Sequence, residues 1–347
     1  MKKIVIACDS YKGCLSSSEV SGAVAEGVSG VYPDCEVVRL AVADGGEGTV
    51  EALVDTLGGH LEWAEVSDPL GRPVRAAYGV AGDLAIIESA AACGLTLLTK
   101  EECNPLIATT KGLGELILAA VDKGCRRFLI GLGGSATNDG GMGMIGADGF
   151  LAKTRGLQFT VACDVDTPYI GRNGASRVFG PQKGASVQEV EVLEERLRGY
   201  ALKISEDTGV DVSDMPGAGA AGGLGGAFRA YLGAELKRGV DLVLDQIGFD
   251  SVIAGADLVI TGEGCSDYQT LKGKTAAGVL ERAERLNIPV ALVSGAVRDE
   301  KMLRDRGFRI VEAVTPPAMS LEEAMRPETA KRLVAIATRN ILHHFCI

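Results

Sequence analysis

Apolar residues at the start of the chain alternate between short continuous runs and helical spacing. The run Lys3–Cys8 predicts a buried strand. After Ser16-Ser17-Ser18-Glu19, which has the pattern of a capping box, apolar positions recur with the period of a helix. A second strand over Val37–Val42 and a second helix over Thr49–Thr56 follow. This β-α-β-α order is typical of a parallel sheet.

The middle of the chain has a different pattern, which then gives way to the first one again. Predicted hairpin strands come first, at Trp63–Val66, Val74–Val80 and Leu84–Glu88. The elements predicted after them are helix Gly112–Lys123, strands Arg127–Leu132 and Phe159–Cys163, and helix Ser186–Asp207. From Asp257 the β-α rhythm returns, with strand Leu258–Ile260, helix Thr275–Leu286, strands Val290–Val293 and Arg309–Ala313, and helix Glu328–His344.

Because the two ends share one pattern and the middle has another, we expect an α/β protein of two domains. A chain of 347 residues is also longer than one ordinary core requires. The predicted division is a parallel α/β domain from residues 1–60 and 241–347, with a mixed α/β domain inserted at 61–240. The pattern leaves open whether residues 110–150 belong to the first domain.

Composition excludes several classes of protein. The net charge of −11 disfavours a nucleic-acid partner, which needs a basic face. No apolar run reaches the roughly 18 residues of a membrane helix, and the N-terminus becomes acidic at Asp9, too early for a secretory signal. The nine cysteines contain no C-x-x-C pair, so we expect no zinc cluster and a reduced, cytoplasmic protein.

Three glycine-flanked acidic turns carry the candidate chemistry, and each follows a predicted strand. They are Asp44–Thr49, Gly133–Gly141 and Thr261–Asp267. Ligands bind at the carboxyl ends of parallel strands, and glycine lets backbone amides face a ligand. Since carboxylates can take a proton or hold a metal ion, these turns suit phosphoryl transfer. The segment Asp9–Gly13, after the first strand, adds an acid, a hydroxyl and a cation.

Three further segments allow a ligand-binding and a structural interpretation. Lys183 in Gly180–Gly184 stands at a helix entrance, where it could bind an anion or lie in a solvated capping loop. The stretch Gly217–Gly222 fits G-x-G-x-x-G, but no strand precedes it. This favours a glycine-rich helix start that packs closely or approaches a ligand over a dinucleotide site. Gly273-Lys274-Thr275 resembles the end of a Walker A loop, whose first glycine is replaced by Tyr268.

Taken together, the motifs resemble those of the type I glycerate kinase family. The matching stretches are Cys8–Gly13, Ala43–Thr49, Asp68–Pro73, Gly133–Gly141, Ala162–Val165, Phe179–Ala185, Gly217–Gly226 and Thr261–Lys274. The resemblance implies a flavodoxin-like or Rossmann-like parallel-sheet domain plus a second α/β domain, with the active site between them. It also implies transfer of a phosphoryl group from ATP to D-glycerate with Mg²⁺, more often giving 2-phosphoglycerate than 3-phosphoglycerate.

The candidate site residues are assigned by chemistry. Candidates for taking or orienting the substrate proton, or for catalytic charge, are Asp9, Lys12, Asp44 and Asp139. Candidates for binding substrate or phosphate are Ser10, Arg72, Gly133, Gly134, Ser135, Thr137, Asn138, Lys183, Gly219, Gly222, Gln269, Thr270 and Lys274. Candidates for holding Mg²⁺ or its water shell are Glu263 and Asp267.

Two alternatives stay open beside the kinase. An NAD-dependent dehydrogenase would rest on the G-x-G-x-x-G match alone. A non-catalytic metabolite sensor with a kinase-like fold would rest on two departures from the family pattern: Cys265 stands where the family usually has arginine, and the stretch Met142–Val161 is shorter than usual. The expected partner is D-glycerate, with no nucleic acid and no membrane, and the chain is expected to be a monomer or a homodimer.

Overall fold

A computed structural model describes residues 1–345, so that Cys346 lies outside the described residues. These residues divide into two compact units. Unit 1 consists of Met1–Asp44, Asp55–Leu57 and the described residues from Val240 onward. Unit 2 consists of Gly45–Val54 and Gly58–Gly239, and it includes the whole of 110–150. That these units are separate domains, one inserted in the other, stays a prediction.

Strands and helices alternate along most of the chain. The strands are β1 (Lys3–Cys8), β2 (Glu36–Ala41), β3 (His60–Ser67), β4 (Pro73–Ala81), β5 (Leu84–Glu88), β6 (Arg127–Gly131), β7 (Gln158–Ala162), β8 (Glu235–Lys237), β9 (Leu258–Gly262), β10 (Cys265–Ser266), β11 (Val290–Ser294), β12 (Ala296–Val297) and β13 (Ile310–Ala313). The helices are α1 (Ser17–Ser29), α2 (Thr49–Leu57), α3 (Ala90–Cys93), α4 (Lys111–Asp122), α5 (Met142–Ile145), α6 (Phe150–Lys153), α7 (Ala175–Phe179), α8 (Val187–Thr208), α9 (Ala220–Leu232), α10 (Gly239–Gln246), α11 (Phe249–Ile253), α12 (Thr275–Arg285), α13 (Glu300–Arg306), α14 (Leu321–Ala324) and α15 (Pro327–Phe345). Short 3₁₀ turns lie at Leu95–Leu97 and Pro181–Lys183.

Unit 1 is built on a five-stranded sheet in the order β13-β11-β9-β1-β2, with every neighbouring pair parallel. Counted within the sheet, this is the flavodoxin-like order 2-1-3-4-5, in which the winding reverses between β1 and β9. The central strands are apolar throughout because both of their faces are covered. Ile4, Ile6 and Ile260 are fully buried in a core shared with α1 and α15.

Unit 2 is built on a six-stranded mixed sheet in the order β3-β4-β5-β6-β7-β8. The pairs β3–β4 and β4–β5 are antiparallel, and the strands from β5 to β8 pair in parallel. Phe128 and Phe159 stack with their ring centroids 4.7 Å apart, and Phe228 of α9 packs against them. Because β5 to β8 run in parallel, the turn after β6 lies at the edge of the sheet formed by the carboxyl ends of these strands.

The predicted fold class, an α/β protein with one parallel and one mixed sheet, is confirmed. The capping box at Ser16 and Glu19 is also present as predicted. The pattern missed elements of two to eight residues, which are too short to show a clear period: strands β8, β10 and β12 and helices α3, α5, α6, α7, α10, α11, α13 and α14. The glycine tract was predicted as a glycine-rich helix start, and its second half does lie in α9. The backbone at Ala221–Gly223 within this element is left-handed, which the sequence pattern did not predict.

Candidate active site

Asp9 lies at the point in unit 1 where the winding of the parallel sheet reverses. It directly follows β1, and its backbone amide donates to the carbonyl oxygen of Gly262 at the end of β9, 2.8 Å away. In an open parallel sheet this crevice, beyond the carboxyl ends of the two central strands, is where ligands bind. The location of a carboxylate here agrees with the sequence prediction for Asp9.

The Asp9 carboxylate is buried, with 7% of the residue exposed, and it accepts two hydrogen bonds. The hydroxyl of Thr275 donates to Oδ2 over 2.6 Å, and the amide of Ser10 donates to Oδ1 over 2.7 Å. Burial raises the pKa of Asp9 to about 6, against the lowering effect of the Thr275 hydrogen bond. A carboxylate with a pKa near neutrality is suited to take and release a proton.

Two other predicted residues surround Asp9. Asp44, half-buried after β2, repels its negative charge and raises the pKa of Asp9, while Lys12 lowers that pKa. The side chain of Lys12 is exposed. Unit 1 therefore brings Asp9, Ser10, Lys12 and Asp44 together at the ends of two neighbouring strands.

Glu263, just after β9, is held by hydroxyl groups. Its Oε1 accepts hydrogen bonds from Thr270 Oγ1 and, over 3.0 Å, from Ser266 Oγ. The Ser266 hydroxyl also shares a 2.7 Å hydrogen bond with Ser294. The other carboxylate oxygen lies 3.6 Å from the ammonium of Lys274. Two hydroxyl groups thus hold one buried carboxylate, with a third hydroxyl behind them and a lysine beside it.

The predicted pair Glu263 and Asp267 does not fit a Mg²⁺ ion. Both oxygens of Glu263 already face donors or an ammonium, and Asp267 Oδ1 accepts from the amide of exposed Gln269 in a local turn. Within residues 1–345 there is also no group of three or more side chains of the metal-ligating types. A Mg²⁺ ion held mainly by nucleotide phosphates and water would need no such group.

In unit 2, two predicted turns pack against each other. A side-chain carbon on Gly131 would lie 2.6 Å from the carbonyl oxygen of Gly45, and one on Gly133 would lie 3.6 Å from Gly46 Cα. The turn before α2 and the turn after β6 therefore meet in backbone contact, which only glycine allows. Gly133 and Gly134 themselves are exposed.

Glu88, at the end of β5, occupies the first turn of α2. Its Oε1 accepts from the amide of Val50 over 3.1 Å, and the amides of Gly48 and Thr49 also lower its pKa. Burial outweighs these bonds, so the pKa of Glu88 is raised above the usual value. Since a carboxylate of the protein fills this helix N-terminus, the amides there already have an anionic partner.

Asp139, the acidic residue of the Gly133–Gly141 turn, is surrounded by donors. Its Oδ2 accepts from the amides of Thr110 and Gly143 and from the hydroxyls of Thr109 and Thr110, and its Oδ1 accepts from the amide of Gly141. The distances run from 2.8 to 3.3 Å. These bonds tie the turn to the start of α4, and they leave little acceptor capacity for a substrate proton.

Lys183 is buried beneath the same turn. Its ammonium donates to Ser135 Oγ over 2.9 Å and to the carbonyl oxygen of Thr137 over 2.6 Å, with only 2% of the residue exposed. Burial lowers the pKa of Lys183 to about 8, and no carboxylate lies within ion-pair distance of it in the described part of the chain. A buried ammonium without a counter-ion is a favourable place for an anionic ligand.

Several buried polar atoms at the end of β6 and in the turn after it have no hydrogen-bond partner. They are Thr137 Oγ1, Asn138 Oδ1 and Ser89 Oγ, all on residues without exposed surface. The amide of Ser89 donates to the carbonyl of Gly131, so Ser89 lies beside the end of β6, and Asn138 Nδ2 donates to Ser176 Oγ over 2.9 Å. Since buried polar groups are nearly always satisfied, such a cluster points to a bound ligand or water. The predicted residues Ser135, Thr137, Asn138 and Lys183 are thus brought together.

Other predicted binding residues have structural partners. The guanidinium of Arg72 is shared between Asp68 and Glu102, each with a 2.6 Å contact. A side-chain carbon on Gly222 would lie 2.1 Å from the carbonyl oxygen of Thr137, and one on Gly219 would lie equally close to that of Pro168. The element before this tract is helix α8, so the strand of a dinucleotide fingerprint is missing there. Gly222 therefore packs closely against the candidate anion site, and Gly219 packs against the segment before α7.

Sequence analysis missed three residues that hold the candidate groups. Thr275 bonds Asp9, Glu88 caps α2, and Thr110 donates twice to Asp139. Thr275 had a signal, because it closes the Gly273-Lys274-Thr275 stretch and is the first residue of α12. For the other two, the partner lies far away in sequence and no local pattern marks it.

Comparison with known proteins decides the family. The sequence model of the glycerate kinase family matches residues 4–154 and 148–346. The chain belongs to the glycerate kinase family. It is 44% identical to glycerate kinase of Bacillus subtilis, covering 93% of this chain and 92% of the relative, and 42% identical to glycerate 2-kinase of Escherichia coli, covering 98% and 97%. A crystal structure assigned to glycerate kinase 2 of Salmonella typhimurium LT2 superimposes with a TM-score of 0.88 at 41% identity, covering 100% of this chain and 98% of that one.

The family match breaks at one place. Its two segments overlap at residues 148–154, inside the stretch Met142–Val161 that sequence analysis expected to be short. The alignment with the Bacillus subtilis enzyme spans 353 positions, more than the whole 347-residue chain, so it contains gaps opposite extra residues of the relative. In this chain only the short helices α5 and α6 lie between Gly141 and β7.

No helix within residues 1–345 has both the length and the apolar character required to cross a membrane.

Proposed function

We propose that this glycerate kinase family member transfers the γ-phosphoryl group of ATP to the 2-hydroxyl of D-glycerate and releases 2-phosphoglycerate and ADP. The observation that carries this proposal is the buried Asp9 carboxylate at the reversal point of the parallel sheet. Its pKa of about 6 suits it to accept the hydroxyl proton near neutral pH. The preference for the 2-hydroxyl is supported by the 42% identity with glycerate 2-kinase.

In the proposed step, the substrate oxygen forms a bond to the γ-phosphorus as the bond from that phosphorus to the β–γ bridging oxygen breaks. The electron pair of the broken bond stays with ADP, and the hydroxyl proton moves to Asp9. The chain's own contribution is positioning and charge, as in phosphoryl transfer generally. Because Asp139 is saturated with donors, we assign it the task of shaping the turn after β6 instead of proton transfer.

Glycerate and nucleotide phosphates are anions, and the protein carries a net charge of −11. The buried ammonium of Lys183 supplies a local positive charge, and the unpartnered hydroxyl of Thr137 lies beside it. We propose that this cluster in unit 2 binds an anionic group of a substrate. Lys12, exposed near Asp9, is the second cation that we assign to the reaction.

Mg²⁺ dependence is part of the proposal because nucleotide-dependent phosphoryl transfer generally uses this ion, which would supply positive charge to the phosphate groups. Since Glu263 and Asp267 do not fit the ion, no step is assigned to them. A network of hydroxyls around Glu263 and Lys274 is better suited to holding the loop 263–275 in shape.

Phosphorus NMR of the reaction mixture tests the proposal. With D-glycerate, ATP and Mg²⁺, the product phosphorus should appear as a doublet, because in 2-phosphoglycerate it couples to a single proton on C2. A triplet would show phosphorylation of the 3-hydroxyl, since C3 carries two protons. No product at all, together with tight glycerate binding by calorimetry, would favour the metabolite sensor, for which Cys265 and the shortened stretch after Met142 are the support.

Three further points stay predictions. The cytoplasmic location is supported by cysteines that are all free among residues 1–345. The prediction of a monomer or homodimer rests on the family, and sedimentation tests it. The prediction that ATP is used over another nucleotide also rests on the family, and a nucleotide-competition assay tests it.

A further inference from the structure

The hydroxyl of Thr275 is hydrogen-bonded to the carboxylate of Asp9, which is the proposed proton acceptor. Thr275 Oγ1 donates to Asp9 Oδ2 over 2.6 Å, and both residues are buried, at 1% and 7% exposure. The two residues are 266 positions apart in the chain, so this contact exists only in the folded protein. A short hydrogen bond to an ionised acceptor belongs to the stronger class of such bonds in proteins.

The helix that carries Thr275 also favours a negative charge at Asp9. Thr275 is the first residue of α12, an 11-residue helix that packs against β1 and β9. The positive end of the helix dipole and its free amides are therefore on the side of Asp9. Lys274, the residue before the helix, makes no capping bond through its side chain. At this helix start, the side chain that contacts Asp9 is that of Thr275.

We propose that Thr275 is a positioning residue of the kinase reaction, which fixes the orientation of the Asp9 carboxylate and keeps it ionised so that it can accept the substrate proton. This inference rests on the proposed function. Without the Thr275 hydroxyl, the buried Oδ2 of Asp9 would lose its hydrogen-bond donor. The ionised form of Asp9 would then be less stable relative to the neutral, protonated form. The carboxylate could also turn about its side-chain bonds, because only the Ser10 amide would still hold it.

The charges around Asp9 pull in both directions. Asp44, after β2, repels the ionised form, and the Cys8 thiol at the end of β1 interacts with it electrostatically. Lys12 and the hydrogen bonds from Thr275 and Ser10 favour the ionised form. Burial opposes ionisation more than any of these groups. Removing one favourable bond should therefore move the pKa of Asp9 upward, away from its ordinary value.

The test is the pH dependence of kcat/KM for D-glycerate in Thr275→Val, Thr275→Ser and a matched control. Thr261→Val is the control, because it makes the same substitution at an equally buried threonine. The Thr261 hydroxyl donates to the carbonyl oxygen of Ala7 instead of to Asp9. The acid limb is the part of the profile in which kcat/KM falls as the pH is lowered. In Thr275→Val it should move to higher pH by about one unit or more, and kcat should fall more than KM rises. Thr275→Ser should restore the limb, and Thr261→Val should leave it in place.

An acid limb that stays in place in Thr275→Val, or one that moves equally in Thr261→Val, would overturn the proposal. If Thr275→Val does not fold, as judged by its melting curve, Thr275→Ala takes its place in the same experiment. Carbon NMR titration of the Asp9 carboxyl in the wild type and in Thr275→Ala provides a readout that needs no turnover. An inactive wild type would reject the proposed function, whereas an unmoved carboxyl titration would reject the role of Thr275 separately.

Discussion

Asp9 in unit 1 and Asp139 in unit 2 look alike in the sequence and differ in the structure. Asp9 directly follows an apolar strand, Asp139 follows one after a polar turn, and both were predicted as catalytic carboxylates. Asp139 accepts bonds from three backbone amides and two hydroxyl groups, whereas Asp9 accepts one amide and one hydroxyl bond. The number of hydrogen bonds that a carboxylate already accepts therefore distinguishes the two roles that we propose. A carboxylate with many donors shapes a turn, and one with few donors can take a proton.

The two regions also differ in the sign of their charge. The strand ends of unit 1 collect Asp9, Asp44 and Glu263, whereas the turn after β6 in unit 2 has a buried lysine beneath it. An acid–base group and an anion site are different requirements of the same reaction. In the proposed function, proton transfer is assigned to the first region and anion binding to the second.

The largest expected effect comes from Asp9→Asn, which keeps the shape of the side chain and removes its basicity. The kcat should fall by roughly 100-fold or more, the range of lost general-base catalysis. Thermal stability should change little. The matched control is Asp34→Asn, an exposed aspartate of the same unit. A coupled ADP-release assay measures the effect, and near-normal turnover of Asp9→Asn would remove Asp9 from the mechanism.

Asp139→Ala should act on stability. Five donors lose their acceptor, and an unsatisfied buried donor costs about 1 kcal/mol or more. Because these hydrogen bonds are only partly buried, water can replace the acceptor for some of the donors, so the free energy of unfolding should fall by roughly 3 kcal/mol. Denaturant unfolding monitored by circular dichroism gives this value, with the exposed Asp148→Ala as control. A variant with normal stability and a kcat lowered as much as in Asp9→Asn would reverse the comparison.

Lys183→Met should separate binding from folding. The KM for D-glycerate or for ATP should rise roughly 10- to 100-fold, because a charge-assisted contact is lost. The free energy of unfolding should change by about 1 kcal/mol or less, because removing a buried ammonium offsets the loss of its hydrogen bonds to Ser135 and Thr137. Lys153→Met, at an exposed lysine of the same unit, is the control. Unchanged KM values for both substrates would mean that Lys183 only supports the turn.

The smallest effect is the pH dependence of the same lysine. Its pKa is about 8 in the folded chain and 10.5 ordinarily, so the unfolded state binds more protons between these values. Stability should therefore rise with pH across this window, while substrate binding weakens because the ammonium loses its charge. Initial rates from pH 7 to 9 should show a rising KM in the wild type and a flat one in Lys183→Met. Parallel profiles in the two proteins would exclude Lys183 as the titrating group.

The sequence predicted where the chemistry lies better than what each residue does. Strand ends and glycine turns are local features, so Asp9, Glu263 and the turn after β6 could be placed at sheet edges from their own neighbours. The partners that decide the roles are distant: Thr275 is 266 positions from Asp9, and Thr110 is 29 positions from Asp139. No local pattern reports such contacts. The glycine tract was similarly ambiguous, because the backbone that Gly222 touches belongs to Thr137.

The most direct test of the central claim is the pH profile of kcat/KM for D-glycerate in the wild type and in Asp9→Asn. The wild type should lose activity as the pH falls through about 6, where Asp9 becomes protonated. In Asp9→Asn this acid limb should disappear, leaving a low rate that does not vary with pH in that range. An acid limb that persists near pH 6 in Asp9→Asn would show that another group accepts the proton, and the assignment of Asp9 would be wrong.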